Sequence, residues 1–87
     1  MQCQLDESLE ISNVLNSKIE YQQWLDNHEL LIIDASSVSR IDAAGLQALA
    51  SLFLTAKQTH TEIRLINVAD KLSDGIELLA LTNIFES

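Results

Sequence analysis

The segment that most constrains the fold runs from Leu30 to Asp34 and reads Leu-Leu-Ile-Ile-Asp. This continuous apolar run is too short for a helix and is rich in branched side chains. Both properties are typical of a strand that is covered on both faces of its sheet. We therefore expect Leu30–Asp34 to be the central strand.

Two regular segments follow this strand. Residues Asp42–Thr59 form the longest stretch with helical periodicity, and Ile63–Val68 is a second strand-like apolar segment. A strand, a helix and a strand in this order predict a parallel pair joined by a right-handed crossover, with the helix lying against the sheet.

The first thirty residues carry weaker signals. Polar and apolar residues alternate in Gln2–Leu5 and in Leu9–Ile11, which predicts two short strands. Ser17 and Glu20 have the spacing of a capping box, so a helix should begin at Ser17 and end near Asn27. Its core face would carry four residues at helical spacing: Tyr21, Trp24, Leu25 and His28.

The end of the chain predicts one more helix. Asp70 should cap it, and Leu72, Ile76 and Leu79 should face the core. Ile84 and Phe85 would add a final short strand or simply pack. The predicted fold class is α/β or α+β, a small mixed sheet of four to five strands with about three helices packed on it, in one domain over residues 1–87.

Charge excludes several classes of partner. Thirteen acidic and five basic residues give a net charge of -8, which repels nucleic acid and anionic membrane surfaces. The one cysteine, Cys3, lies at a terminus that should fray, and it suits a reducing compartment. The first thirty residues lack the basic start and apolar run of a signal peptide, and no run of about 18 apolar residues follows, so we expect a cytoplasmic protein without direct membrane contact.

The long helix has an unusual exposed face. A helical wheel places Leu46, Leu49, Ala50 and Phe53 on the buried side. The opposite side is uncharged and mostly small, and Leu52 and Leu54 lie at its margins; it comprises Ala44, Gln47, Ala48, Ser51, Thr55 and Gln58. Such a face is a flat surface that another protein could approach closely, although small residues are also simply good helix formers.

The stretch Asp34–Leu49, reading DASSVSRIDAAGLQAL, resembles the signature of the STAS family, which includes sulfate transporter tails and anti-sigma factor antagonists. The resemblance extends to Ile63–Val68 and to Leu78–Phe85. It implies a STAS-like fold and a non-catalytic protein–protein docking module in bacterial signal transduction. In sporulation-type members the residue before the glycine is a serine that a partner kinase phosphorylates. That residue is Ala44 here, which has no hydroxyl, and Ala43 lacks one too, so this phospho-acceptor is absent.

The sequence of this segment is similar to that of two branches of the family. One is the STAS subunit of phospholipid-transport ABC complexes, which docks on a transport ATPase. The other, slightly favoured, comprises STAS proteins encoded beside chemotaxis kinases and receptors. The partner implied by the resemblance is thus a kinase, a chemoreceptor component, an anti-sigma factor or a transport ATPase. We expect the docking face to comprise Val38, Ser39, Arg40, Asp42, Ala43, Ala44, Gly45, Gln47, Ala48 and Ser51.

Other functions find less support. Asp34 and Asp42 suggest an acid pair, but ordering a loop and capping a helix account for them better. His28 and His60 have no nucleophile or metal ligand at a useful spacing. Gly45 alone, with no lysine after it, does not make a phosphate loop. We therefore predict no catalytic residue, metal or cofactor. Two alternatives are left open: a small-molecule or nucleotide sensor, and a homodimer formed through Leu52, Leu54 and the small uncharged face between them.

Overall fold

The structure is a computed structural model, and it describes residues 1–27 and 29–85. The predicted placement of His28 lies outside these residues. The strands are β1 (Gln2–Gln4), β2 (Ser8–Leu9), β3 (Leu30–Asp34), β4 (Arg40–Ile41) and β5 (Glu62–Ile66). A 3-10 turn at Ile11–Asn13 leads into α1 (Val14–Asn27), and the other helices are α2 (Ala43–Gln58), α3 (Asp70–Leu78) and α4 (Thr82–Phe85).

The strands form two small parallel sheets. The main sheet has the order β1-β3-β5, with Leu31 opposite Ile63 and Cys3 opposite Ile33, and β2 pairs with β4. The α/β class and the central position of β3 are confirmed, and so is the parallel pair that β3 forms with β5. The expectation of one mixed sheet is wrong, because β2 leaves the main sheet and runs beside β4.

One face of the main sheet is open. Along β3, Leu31 and Ile33 are fully buried, whereas Leu30 is exposed and Ile32 is half-buried. The core cluster joins Leu31 and Ile33 to side chains of α1, α2 and α3. Cover on both faces was therefore a wrong expectation. A continuous apolar run conceals the two-residue alternation of a one-sided strand.

The N-terminus is held in the sheet. Cys3 is buried beside Ile33, and the amino group of Met1 donates a hydrogen bond to the Leu30 carbonyl at 3.0 Å. Burial raises the pKa of the Cys3 thiol. The expected fraying of this end is wrong, because β1 gains a partner strand from residues about thirty positions away, which no local pattern reveals.

The start of α1 differs from the prediction, although its end at Asn27 is confirmed. The helix begins at Val14, three residues before Ser17, as a continuation of the 3-10 turn. Ser17 is inside the helix, where its hydroxyl hydrogen-bonds to Tyr21 one turn later. The predicted capping box does not form, since an acceptor from a distant part of the chain holds the start of this segment.

The remaining helices follow the sequence with smaller changes. Asp42 and Thr59 are the caps of α2, as the periodicity predicted. Asp70 is the first residue of α3 and not its cap, which is Ala69 without a side-chain hydrogen bond. Phe85 lies in α4 and packs edge-on against Phe53 with ring centroids 4.8 Å apart, so Ile84 and Phe85 pack in a helix and do not form a strand.

Two helices end on residues in the left-handed conformation that are not glycine. His60 after α2 has φ 59°, and Ala80 after α3 has φ 56°. In each case the next residue donates back into the last turn, as in Thr61 N–H to the Ala56 carbonyl at 2.8 Å. This is the geometry in which glycine is usual, because a Cβ is strained at positive φ.

We expect Ala80→Gly to raise the free energy of unfolding by about 1 kcal/mol, since glycine removes the cost of the Cβ at positive φ. The same exchange at Ala43, which lies in right-handed helical backbone, should be neutral or destabilising. Urea unfolding followed by circular dichroism measures both. A destabilised Ala80→Gly variant would contradict the strain argument.

Candidate docking site

The Asp42 carboxylate holds together the start of α2 and the start of the α1 segment. Its Oδ1 accepts the Gly45 N–H at 2.8 Å, and its Oδ2 accepts the Ile11 N–H at 2.9 Å. The Asp42 N–H donates in turn to the Leu9 carbonyl at 3.0 Å. The predicted capping role is confirmed. Hydrogen bonds from Ile11 and Gly45 lower the pKa of the Asp42 carboxyl below its ordinary value.

Gly45 lies directly beneath the backbone of β2. A Cβ placed at Gly45 would stand 1.8 Å from the Leu9 carbonyl oxygen and 2.7 Å from the Glu10 nitrogen. Any other side chain would therefore push β2 away from α2. Gly45 was predicted to belong to the docking face, but β2 of the same chain occupies the space above it, so Gly45 is buried and does not present a surface to a partner.

Asp34 organises the loop after β3. Its Oδ1 accepts the Ser36 N–H at 2.8 Å, and its Oδ2 accepts the Asn67 side-chain amide at 3.3 Å. On the other side, the Gln4 amide donates to the Ser37 hydroxyl at 2.9 Å. These bonds confirm that Asp34 orders this loop, and the bonds from Ser36 lower the pKa of its carboxyl.

The predicted docking residues divide by accessibility. Five are exposed: Ser39, Arg40, Ala43, Gln47 and Ser51. Asp42 and Ala44 are half-buried. Three are buried: Val38 at 3% exposure, Ala48 at 7%, and Gly45. The accessible residues follow one another over the β3–β4 loop and the first turns of α2.

Helix α1 covers one side of α2 and buries residues that the wheel had placed outside. Ala48 and Leu52 line a groove together with Tyr21 and Leu25 of α1, and Leu52 is only 3% exposed. The expected exposure of Ala48 and Leu52 is thus wrong, and Leu52 is not available to a homodimer. Leu54 is exposed at 45%, as expected. A wheel of α2 alone cannot show which neighbour packs beside it.

Arg40 is partly engaged within the chain. Its Nε lies 3.2 Å from Glu10 Oε1, which also accepts a hydrogen bond from the Ser8 hydroxyl. The Arg40 side chain remains 61% exposed, so the ion pair contributes at most about 1 kcal/mol. The guanidinium therefore keeps donors that face solvent at the edge of the predicted docking loop.

Comparison with known families agrees with this arrangement. A family model described as "Mlab, STAS domain" matches residues 1–86. The chain belongs to the STAS family. A search of curated protein sequences finds no significant match. In this STAS domain two signature residues have structural roles. Asp42 caps α2, and Gly45 leaves room for the backbone of β2.

A cleft that no sequence pattern predicted lies beside β4 of the STAS domain. It is an open space of about 550 Å³ between β4 and α3, and Leu78 at its edge is 86% exposed. Ile41 and Gly75 meet there, since a Cβ on Gly75 would stand 2.5 Å from Ile41 Cδ1. The sequence signal that could have indicated this cleft was Gly75, because a glycine inside a predicted helix indicates close packing at that position. The charged lining is balanced: Glu10, Arg40, Lys71 and Asp74.

Two further observations concern other kinds of site. Within residues 1–27 and 29–85, no group of three or more histidine, cysteine, aspartate or glutamate side chains is placed to hold a metal ion. None of the helices in that part of the chain has the length and apolar character needed to cross a membrane.

Gly45→Ala should lower the free energy of unfolding by at least about 2 kcal/mol, because the added methyl meets the backbone of β2, which cannot rotate away. Gly75→Ala is the matched control. Its methyl meets the ends of the Ile41 and Leu46 side chains, which can shift, and alanine favours the helix. Urea unfolding should rank Gly45→Ala well below Gly75→Ala. Equal losses would contradict the close packing of β2 on α2.

Asp42→Asn should lower the urea midpoint at pH 7, because the amide offers only one oxygen and leaves the Ile11 or the Gly45 N–H without its acceptor. The folded-state pKa of Asp42 is depressed, so its stabilisation is present above the ordinary value of 3.8 and is lost as the pH falls through the lowered value. The difference between wild type and variant should therefore shrink below about pH 4. A difference that does not change with pH would contradict the role of the charged carboxylate.

Proposed function

We propose that this STAS domain is a non-catalytic docking module of bacterial signalling that acts in the cytoplasm by binding another protein. The observation that carries the proposal is the uncharged, accessible surface at the start of α2. Ala43, Gln47 and Ser51 are exposed there and Ala44 is half-buried, and none of them is bulky or charged. A partner can approach such a surface closely without removing a charge from water.

The backbone around this surface is held in place before any partner arrives. Asp42 caps the helix and binds Ile11, and β2 lies against Gly45. A site that is ordered in advance loses little conformational entropy on binding. This order supports a role as a rigid recognition surface, and Ser39 and Arg40 would contribute polar contacts at its edge.

Ala44 supports a module that is not switched off at the family's phospho-acceptor position. An alanine cannot receive a phosphate, so binding would be constitutive or controlled elsewhere. The candidate partners remain a kinase, a chemoreceptor component, an anti-sigma factor or a transport ATPase. A nucleotide sensor is less well supported, because the cleft between β4 and α3 has two acidic side chains beside its two basic ones.

The proposal predicts that Ala44→Glu weakens partner binding at least about tenfold, the equivalent of 1.4 kcal/mol, because a carboxylate would be desolvated in the interface. The domain itself should remain folded, since an acidic residue in the first turn of a helix is favoured by the helix dipole. Affinity capture from the native cytoplasm with wild-type bait would identify the partner. A titration with the purified partner then gives the two dissociation constants.

Gln2→Glu is the matched control, with the same added charge at an exposed position of β1. It should bind the partner like the wild type. Equal affinity of a folded Ala44→Glu variant would contradict the proposed surface. If capture returns no protein while a nucleotide raises the thermal stability in proportion to RT ln(1 + [L]/Kd), the sensor function replaces the docking function.

A further inference from the structure

The 3-10 turn at Ile11–Asn13 and helix α1 together carry an apolar stripe that no other part of the described chain covers. Ile11 is 71% exposed, Leu15 78% and Ile19 62%, and the three residues are spaced four apart. This set, called the α1 stripe below, is on the side of α1 opposite to the buried Tyr21 and Trp24. The docking surface of α2 does not include any of these residues.

Single exposed apolar residues are common on proteins, but a row of three is not explained in the same way. Residues four apart on a helix form a ridge, and such a ridge fits the groove of another helix. The neighbours Ser12 and Asn16 are exposed and uncharged, and the exposed Lys18 lies between the second and third residues of this ridge. The α1 stripe therefore has the shape of a helix-binding surface.

The segment of the chain that carries the α1 stripe is acidic. Residues 6–26 contain five carboxylates and one lysine, Lys18. Glu10 is partly neutralised by Arg40, but Asp6 and Glu20 lie close enough to repel each other. Burial and the repulsion from Asp6 raise the pKa of the Glu20 carboxyl. A positive charge brought by a partner would relieve this repulsion.

Three occupants of the α1 stripe have different electrostatics. A second copy of the chain would bring the same acidic segment against this one, and like charges in contact are unfavourable. An anionic lipid surface is repelled for the same reason. An amphipathic helix with leucine-like side chains on one face and lysine or arginine at its edges matches both the apolar ridge and the net negative charge of the segment that carries it.

We propose that the α1 stripe is a second docking site, and that it binds an amphipathic helix with basic flanks from a partner protein. This site does not depend on the function proposed for α2, because it uses different residues. The two surfaces are neighbours, since the Ile11 N–H is bound by the Asp42 carboxylate at the start of α2. One partner could therefore contact both.

The test uses a synthetic peptide of about 18 leucine and lysine residues, long enough to form an amphipathic helix. Two control peptides are a scrambled sequence of the same composition and a version with glutamate in place of lysine. Fluorescence anisotropy measures affinity, and amide chemical shifts locate the site. We expect saturable binding of the amphipathic basic peptide, with shifts concentrated in residues 11–23 and affinity that falls with added salt.

The double variant Leu15→Ser/Ile19→Ser should weaken this binding at least about tenfold. The matched control is Leu54→Ser/Leu78→Ser, which removes two exposed leucines from other helices and should change the affinity less than about twofold. Thermal melts verify that both variants are folded. Ala44→Glu should leave peptide binding intact, which separates this site from the surface on α2.

Several results would overturn the proposal. Equal binding of the scrambled peptide would show that net charge alone causes the binding. Equal loss of affinity in both double variants would show that the peptide does not bind at the α1 stripe. Sedimentation tests whether a second copy of the chain occupies the α1 stripe instead. An apparent mass that rises with concentration in wild type, and not in Leu15→Ser/Ile19→Ser, would assign the stripe to self-association.

Discussion

The carboxylate of Asp42 makes the interactions on which the geometry of the proposed docking surface depends. One oxygen accepts a hydrogen bond from the first turn of α2, and the other accepts one from the turn that opens α1. One side chain therefore fixes the relative position of two helices. β2 completes this junction by lying over Gly45, where only a hydrogen fits. Two signature residues of the STAS family thus have a structural role within the domain: they hold the neighbouring surface in place.

The negative charge of the domain distinguishes its uncharged surfaces from the rest of the exterior. With a net charge of -8, most of the exterior repels other acidic molecules, and neutral patches are the places where a partner can approach at low electrostatic cost. The start of α2 offers small side chains, whereas the α1 stripe offers large apolar ones. A partner that used both would be selected by shape on α2 and by a basic border on α1.

The departures from the sequence predictions have a common physical cause. Leu30–Ile33 reads as a strand covered on both faces, but helices pack on one face alone and leave Leu30 exposed. Ser17 has capping chemistry, yet the start of its helix is held by Asp42, which is distant in the sequence. In the first case the packing of remote helices decides which face is covered, and in the second a contact between remote segments outweighs a local capping preference worth about 1 kcal/mol.

The sequence alone determined the elements whose signals are local. These are the positions of β3, α2 and β5, the cap at Asp42, and the family signature from Asp34 to Leu49. Only the tertiary structure decided which faces are free: α1 buries Ala48 and Leu52, β2 occupies the space above Gly45, and the α1 stripe remains open. Periodicity reports which side of a helix is apolar, but accessibility depends on the neighbour that packs there, and the choice of neighbour is a property of the whole chain.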